Sequence, residues 1–183
     1  FKYIGEQIGL LEKAGEERRY LFGFEESYGY LTGTYVRDKD GVDGAVMICE
    51  MFSFYAARGI RLTDQLAKLY ERYGYCRNTL HSYQFEGSAG FARMQGIMAA
   101  FRQGISTFGG KAVEKVLDYS AGLDGLPKAD VLKFYLDGGT TLVVRPSGTE
   151  PKLKLYLSVT AKDEAEAART EQAILNDAEV YFR

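Results

Sequence analysis

Arg145, Ser147 and Thr149 fall within five residues of each other, with Gly148 between the two hydroxyls and prolines at 146 and 151. Those types suit a loop that closes around a phosphate. A guanidinium offers a planar, permanently charged fork for two phosphate oxygens. Serine and threonine add short hydroxyl donors, and a glycine lets backbone N–H groups turn inward as an anion nest. Proline at each end lowers the cost of ordering the loop when an anion arrives. A polar hairpin turn is the competing reading, because Pro, Ser, Gly and Thr are ordinary turn formers.

A second loop, Gly23-Phe24-Glu25-Glu26-Ser27-Tyr28-Gly29, follows the apolar run Tyr20-Leu21-Phe22, which reads as a buried strand. Carboxylates accept short, directional bonds from neighbouring hydroxyls, which is how proteins hold sugars. Acidic residues also favour the first turn of a helix, and that reading stays open for this loop alone.

Together the two loops resemble those of the α-D-phosphohexomutases, the phosphoglucomutase and phosphomannomutase family. Glu25 to Gly29 is similar to the family's sugar-recognition loop in its third domain. Arg145 to Lys152 is similar to the phosphate-binding loop of the fourth, and Val36-Arg37-Asp38-Lys39-Asp40-Gly41-Val42 matches a segment between them. The resemblance covers nearly the whole chain. It implies an enzyme that moves phosphate between the 1- and 6-positions of a hexose through a bisphosphorylated intermediate. Residue by residue, it implies that Glu25 and Ser27 contact the sugar 3- and 4-hydroxyls. It assigns Arg145, Ser147, Gly148 and Thr149 to the phosphate that is not being transferred. Lys39 stands where the family places a basic group, which makes it the candidate catalytic acid/base. Neighbouring cations would lower its pKa toward neutrality. The alternative is that Lys39 and Arg37 simply supply positive charge. Tyr28 follows Ser27 where phosphomannomutase-type relatives carry a histidine within this loop, a departure from the mannose-specific pattern.

Such a mutase binds its substrate in two opposite orientations, so one fixed phosphate grip serves both half-reactions. Its binding energy can be realised at the distant reacting centre. The family's nucleophilic serine and its magnesium loop have no match in this sequence. No metal ligands are therefore expected here, with Mg2+ and glucose 1,6-bisphosphate belonging to the full-length enzyme. The resemblance points to the C-terminal portion of a longer mutase, inactive alone, whose partners are a hexose phosphate and the N-terminal domains of its own parent chain. A glucose 1,6-bisphosphate synthase on the same fold and a non-catalytic sugar-phosphate-binding module are the alternatives.

Composition narrows the classes further. A net charge of −2 over 183 residues gives no polybasic face for nucleic acid or anionic membrane, and 46% hydrophobic content supports a packed core. No apolar run is long enough to span a bilayer. Cys49 and Cys76 form neither a disulfide framework nor a metal spacing. A cytoplasmic, reduced protein is expected. Cys49 lies on a helical apolar stripe and is expected to be a buried thiol. The single histidine, His81, has the neighbours of a strand residue and is expected to be structural.

The elements that must position these residues follow from periodicity. A helix is expected over 1–15 and a strand over 19–23. Asp40 is expected to cap a helix with Val42, Val46, Cys49, Phe52 and Ala56 on its inner stripe, and another helix starts at Thr63. Ser88 is expected to cap a helix that buries Phe91, Met94, Met98, Phe101 and Ile105. Strands near 112–119, 131–136, 140–145 and 153–159 precede a final helix over 163–181. Asp137-Gly138-Gly139 makes a turn between the second and third. The fold class is thus an α/β partial third domain, residues 1–80, followed by an α+β C-terminal domain, residues 81–183. The latter has a four-stranded antiparallel sheet flanked by two helices.

Overall fold

The computed structural model describes residues 1–25, 28–148 and 150–182, and it divides into two compact units, Phe1–Ala67 and Lys68–Arg183. In the first unit, helix α1 (Lys2–Lys13) precedes a two-stranded antiparallel ribbon of β1 (Gly23–Glu25) and β2 (Gly29–Leu31), and helix α2 (Gly41–Ala56) follows. Glu25 faces Gly29 across the ribbon. The strand expected over 19–23 is displaced. Residues 17–19 form a 3₁₀ turn, Leu21 is 79% exposed, and pairing begins only at Gly23. Tyr20 instead donates its hydroxyl to the Leu31 carbonyl, at 2.8 Å, so its role is to brace β2.

Asp40 caps α2 as expected, accepting from the Val42 and Asp43 amides at 2.8 and 3.1 Å. The inner stripe is not borne out. Val42, Val46 and Phe52 are exposed, and so is Cys49, which corrects the buried-thiol expectation. The period was sound, but α2 is apolar on nearly every side, so its period does not select one face. Helix α3 (Leu62–Tyr73) carries the chain from the first unit into the second.

The second unit is an antiparallel sheet in the order β3-β8-β7-β6-β5-β4. Its strands are β3 (Tyr75–Gln84), β4 (Thr107–Phe108), β5 (Lys111–Asp118), β6 (Leu132–Leu136), β7 (Thr140–Pro146) and β8 (Lys152–Ala161), with helices α4 (Gly87–Arg102) and α5 (Glu164–Phe182). The four expected strands are present as β5 to β8, and six replace four because β3 and β4 flank them. The expected boundary at 80/81 falls inside β3, which pairs with β8 from Tyr75 through Gln84. Helix α4 starts after Glu86 with no side-chain cap, so Ser88 does not fill that role. Met94, Met98 and Phe101 enter the core as expected, whereas Phe91 stays exposed. These residues pack with Phe108, Phe134, Leu142, Leu155 and Ile174 in one dry cluster. Alternation on β6, β7 and β8 makes this work, since every second side chain points into it.

Candidate functional site

Two constellations carry the expected site residues, one in each unit. In the first, β1 ends at Glu25, and the segment before α2 brings Lys39 back beside it. The Lys39 ammonium lies 3.5 Å from one Glu25 oxygen. Gly29 makes that approach possible: a Cβ there would come within 2.8 Å of the Glu25 Cγ and 2.9 Å of the Lys39 Cδ. The chain enters the ribbon's return strand through Tyr28, which adopts φ 62° in the left-handed region. Glu26 and Ser27 lie outside the described residues, so the assignment of Ser27 to the sugar stays with the sequence.

The electrostatics of this cluster correct the expectation for Lys39. Its pKa is raised, first by the hydrogen bond and charge of Asp38, whose Oδ1 is 3.4 Å away, and then by Glu25. Lys39 is surrounded by carboxylates, not cations, and is an ammonium at neutral pH. Arg37, the other nearby cation, is engaged elsewhere, donating to Glu12 at 2.6 Å and to the Thr34 carbonyl at 2.5 Å. Asp38 was missed because an Asp beside a Lys in a polar run carries no distinguishing signal.

The second constellation sits at the end of the sheet. Strand β7 delivers Arg145 opposite Lys154 of β8, and the connection between those strands is the expected loop. Its ends are stitched. The Ser147 amide donates to the Lys152 carbonyl at 2.7 Å, and the Pro151 carbonyl accepts from the Phe85 amide at 2.8 Å. Lys152 and Glu150 pair with each other at 3.3 Å. Arg145 is exposed and makes no ion pair or hydrogen bond among the described residues. It shares a concavity of about 310 Å³ with Ser147 and Gly148, whose far wall is Gln95 of α4 together with Ala129 and Asp130 of the β5–β6 connection. Gly148 keeps an ordinary φ, and a Cβ built on it would meet nothing within 4 Å. Glycine there keeps the cavity clear and is not required for a left-handed turn. Thr149 lies outside the described residues. Gln95 and Asp130 come from distant segments, and no local pattern could have singled them out.

The loop, held at both ends, thus sets a guanidinium with no ion pair among the described residues beside a serine and a glycine, groups of the kind that hold anions. Among the described residues no three His, Cys, Asp or Glu side chains gather to hold a metal ion, and no helix is long and apolar enough to cross a membrane.

Comparison with known proteins agrees with this architecture. The pattern described as phosphoglucomutase/phosphomannomutase, alpha/beta/alpha domain III, matches residues 1–73, and that of the C-terminal domain of the same proteins matches residues 85–176. A phosphoglucomutase of Staphylococcus epidermidis is 38% identical over 87% of the chain, and one of Staphylococcus aureus 35% identical over 96%. The chain spans 31% and 33% of their respective lengths. A Paramecium crystal structure, the exocytosis-sensitive phosphoprotein pp63/parafusin in its open form, shares the fold with a TM-score of 0.62 at 19% identity, over 97% of this chain and 31% of that one. With both units matched in order, the chain belongs to the phosphoglucomutase/phosphomannomutase family, of which it carries domain III sequence followed by the C-terminal domain.

Proposed function

We propose that this chain is the sugar-reading and phosphate-gripping part of a phosphohexomutase that interconverts hexose 1-phosphate and hexose 6-phosphate through a bisphosphate. Arg145, Ser147, Gly148 and Thr149 hold the phosphate that is not being transferred. Glu25 and Ser27 accept and donate bonds to sugar hydroxyls. Lys39 is the acid/base candidate, and its raised pKa favours a proton-donating or charge-stabilising role over that of a base at neutral pH. The observation that carries this reading is the Arg145 guanidinium, without a partner among the described residues, set beside Ser147 and Gly148 on a loop anchored in β7 and β8.

The magnesium ion that the family implies finds no fitting donor set among the described residues, and no step here runs through it. The transferring phosphate would meet groups outside these 183 residues.

Titration of the chain with glucose 6-phosphate, followed by NMR, tests the grip. An exposed guanidinium works in a high dielectric, so the expected dissociation constant is about millimolar, roughly 4 kcal/mol of binding. Arg145→Ala should weaken it about tenfold or more, the scale of one charged hydrogen-bonded contact. Equal affinity of the variant and the parent would remove Arg145 from the site.

A further inference from the structure

An acidic residue is among those lining the cavity that holds Arg145, and negative charge is an unfavourable neighbour for a phosphate dianion. Asp130 lines it from the β5–β6 connection. The same residue, with Ala129, also lines a second concavity of about 510 Å³, together with Arg102, Ser120 and Lys128. Arg102 sits at the last turn of α4 and is not among the residues of the Arg145 cavity. Its guanidinium forks between two carboxylates: Nη2 donates to Asp130 Oδ1, and Nε donates to Asp118 Oδ2 at 2.9 Å. A side chain only 29% exposed is thus held from behind the wall, with its charge applied to Asp130.

We infer that Arg102 is a positioning residue for the phosphate site, which neutralises Asp130 and turns its carboxylate away from an anion bound at Arg145. The inference rests on the phosphate-grip reading of that cavity. The walls of a cavity this size lie within about one Debye length, roughly 8 Å at physiological ionic strength, so a bare Asp130 would act on the dianion. Lysine could not replace Arg102, because a compact ammonium cannot fork between two carboxylates from one fixed side chain. Asp118 shares the guanidinium but does not line the cavity, so it serves to fix the orientation of Arg102.

The test is glucose 6-phosphate titration of the chain and its variants, read at the Gly148 amide by NMR, at low and at high salt. Arg102→Met should bind roughly fivefold more weakly at low salt, the scale of one unit charge facing a dianion across a wet site of about 8 Å, with the difference shrinking at high salt. Adding Asp130→Asn to Arg102→Met should restore the parent affinity. A weakening that the second substitution does not repair would overturn the inference, since a merely structural Arg102 predicts that result. So would an Arg102→Met affinity equal to the parent's. If Arg102→Met does not fold, Arg102→Gln takes its place: binding about fivefold weaker at low salt supports the inference, and parent affinity overturns it. Arg145→Ala separates the two levels. Loss of binding in that variant with no response to Arg102 leaves the phosphate grip standing and removes only this inference, whereas no loss removes the grip itself.

Discussion

The two units hold their candidate residues in opposite electrostatic states. In the first, Glu25 and Lys39 already satisfy one another, with Asp38 on the other side of the ammonium. In the second, Arg145 is left without a partner among the described residues while the loop around it is bonded at both ends. The packing beneath them differs in the same sense. The proposed phosphate loop grows from β7 and β8, whose inward side chains are buried, whereas the Glu25 ribbon is two strands of three residues beside an α2 helix with many apolar side chains in the open. A grip that must hold any phosphate in one place needs rigidity and an unsatisfied charge. A reader of sugar hydroxyls that accepts two orientations can be built from exchangeable pairs, since exposed ion pairs are weak enough to open for a ligand.

The largest effect that can test this contrast is on the cores. Phe101 is 1% exposed and packs against Phe108, Phe134 and Tyr181, so Phe101→Ala should cost about 3–5 kcal/mol in chemical denaturation. Phe52 is 60% exposed on α2, and Phe52→Ala should change stability by no more than about 0.5 kcal/mol. Similar losses for both would break the comparison, because the α2 face would then be covered in solution.

The next effect is electrostatic and belongs to the second unit. Glu171 of α5 is 7% exposed and receives Arg77 Nε at 2.5 Å, with His81 Nε2 at 3.0 Å from its other oxygen. Burial alone would push this carboxyl up, but the bonds from Thr79, Arg77 and His81 outweigh it and hold it below its ordinary value. A carboxyl lowered by folding adds stability that is fully present above its unfolded value of about 4.3 and disappears as pH falls through the lower folded value. Glu171→Gln should therefore cost about 1–2 kcal/mol at neutral pH, discounted for the partly exposed partners. The variant and the parent should converge below about pH 4. A constant gap down to pH 2 would show that the loss is one of packing.

This same cluster explains what the sequence concealed. Strands β6 to β8 were legible because their inward positions are apolar: Leu132, Phe134, Leu142, Val144, Leu153 and Leu155. Strand β3 inverts the pattern. Arg77, Thr79 and His81 take the more buried positions to meet Glu171, while Leu80 points out, so hydropathy alternation reports the wrong face. The surroundings of His81 read as a strand, but nothing marked that strand as a partner of β8, and two-residue β4 is too short to carry a period. The loop proposed to hold phosphate could be singled out because its polar groups are local in sequence. Its opposite wall could not, since Gln95 and Asp130 reach it only through the fold.

A smaller effect probes the first unit alone. Asp40 caps α2 and also accepts the Tyr35 hydroxyl at 2.8 Å, a bond that pushes the phenol up to about 12. Asp40→Ala should destabilise the first unit by about 1 kcal/mol, read by hydrogen exchange along α2, with the amides of β6 to β8 unchanged. Faster exchange in both units would mean that they do not unfold separately, which would sharpen the comparison into one of sites and not of stabilities.

The smallest effect in stability is the most telling for chemistry. The Lys39 pairs with Asp38 and Glu25 are exposed, so Lys39→Met should leave unfolding within about 0.5 kcal/mol of the parent. The ammonium itself should titrate above the ordinary lysine value, because Asp38 first and Glu25 second favour its charged form. Asp38→Asn should bring that titration down toward the ordinary value, read by NMR on the Lys39 side chain. Were Lys39 found to titrate below an ordinary lysine in the unliganded chain, a general-base role would return. If the raised value holds, a bound sugar that displaces Glu25 would remove one of the two carboxylates favouring the ammonium. The pKa would then drop in the liganded state only, so that the proton becomes easier to donate once substrate is in place.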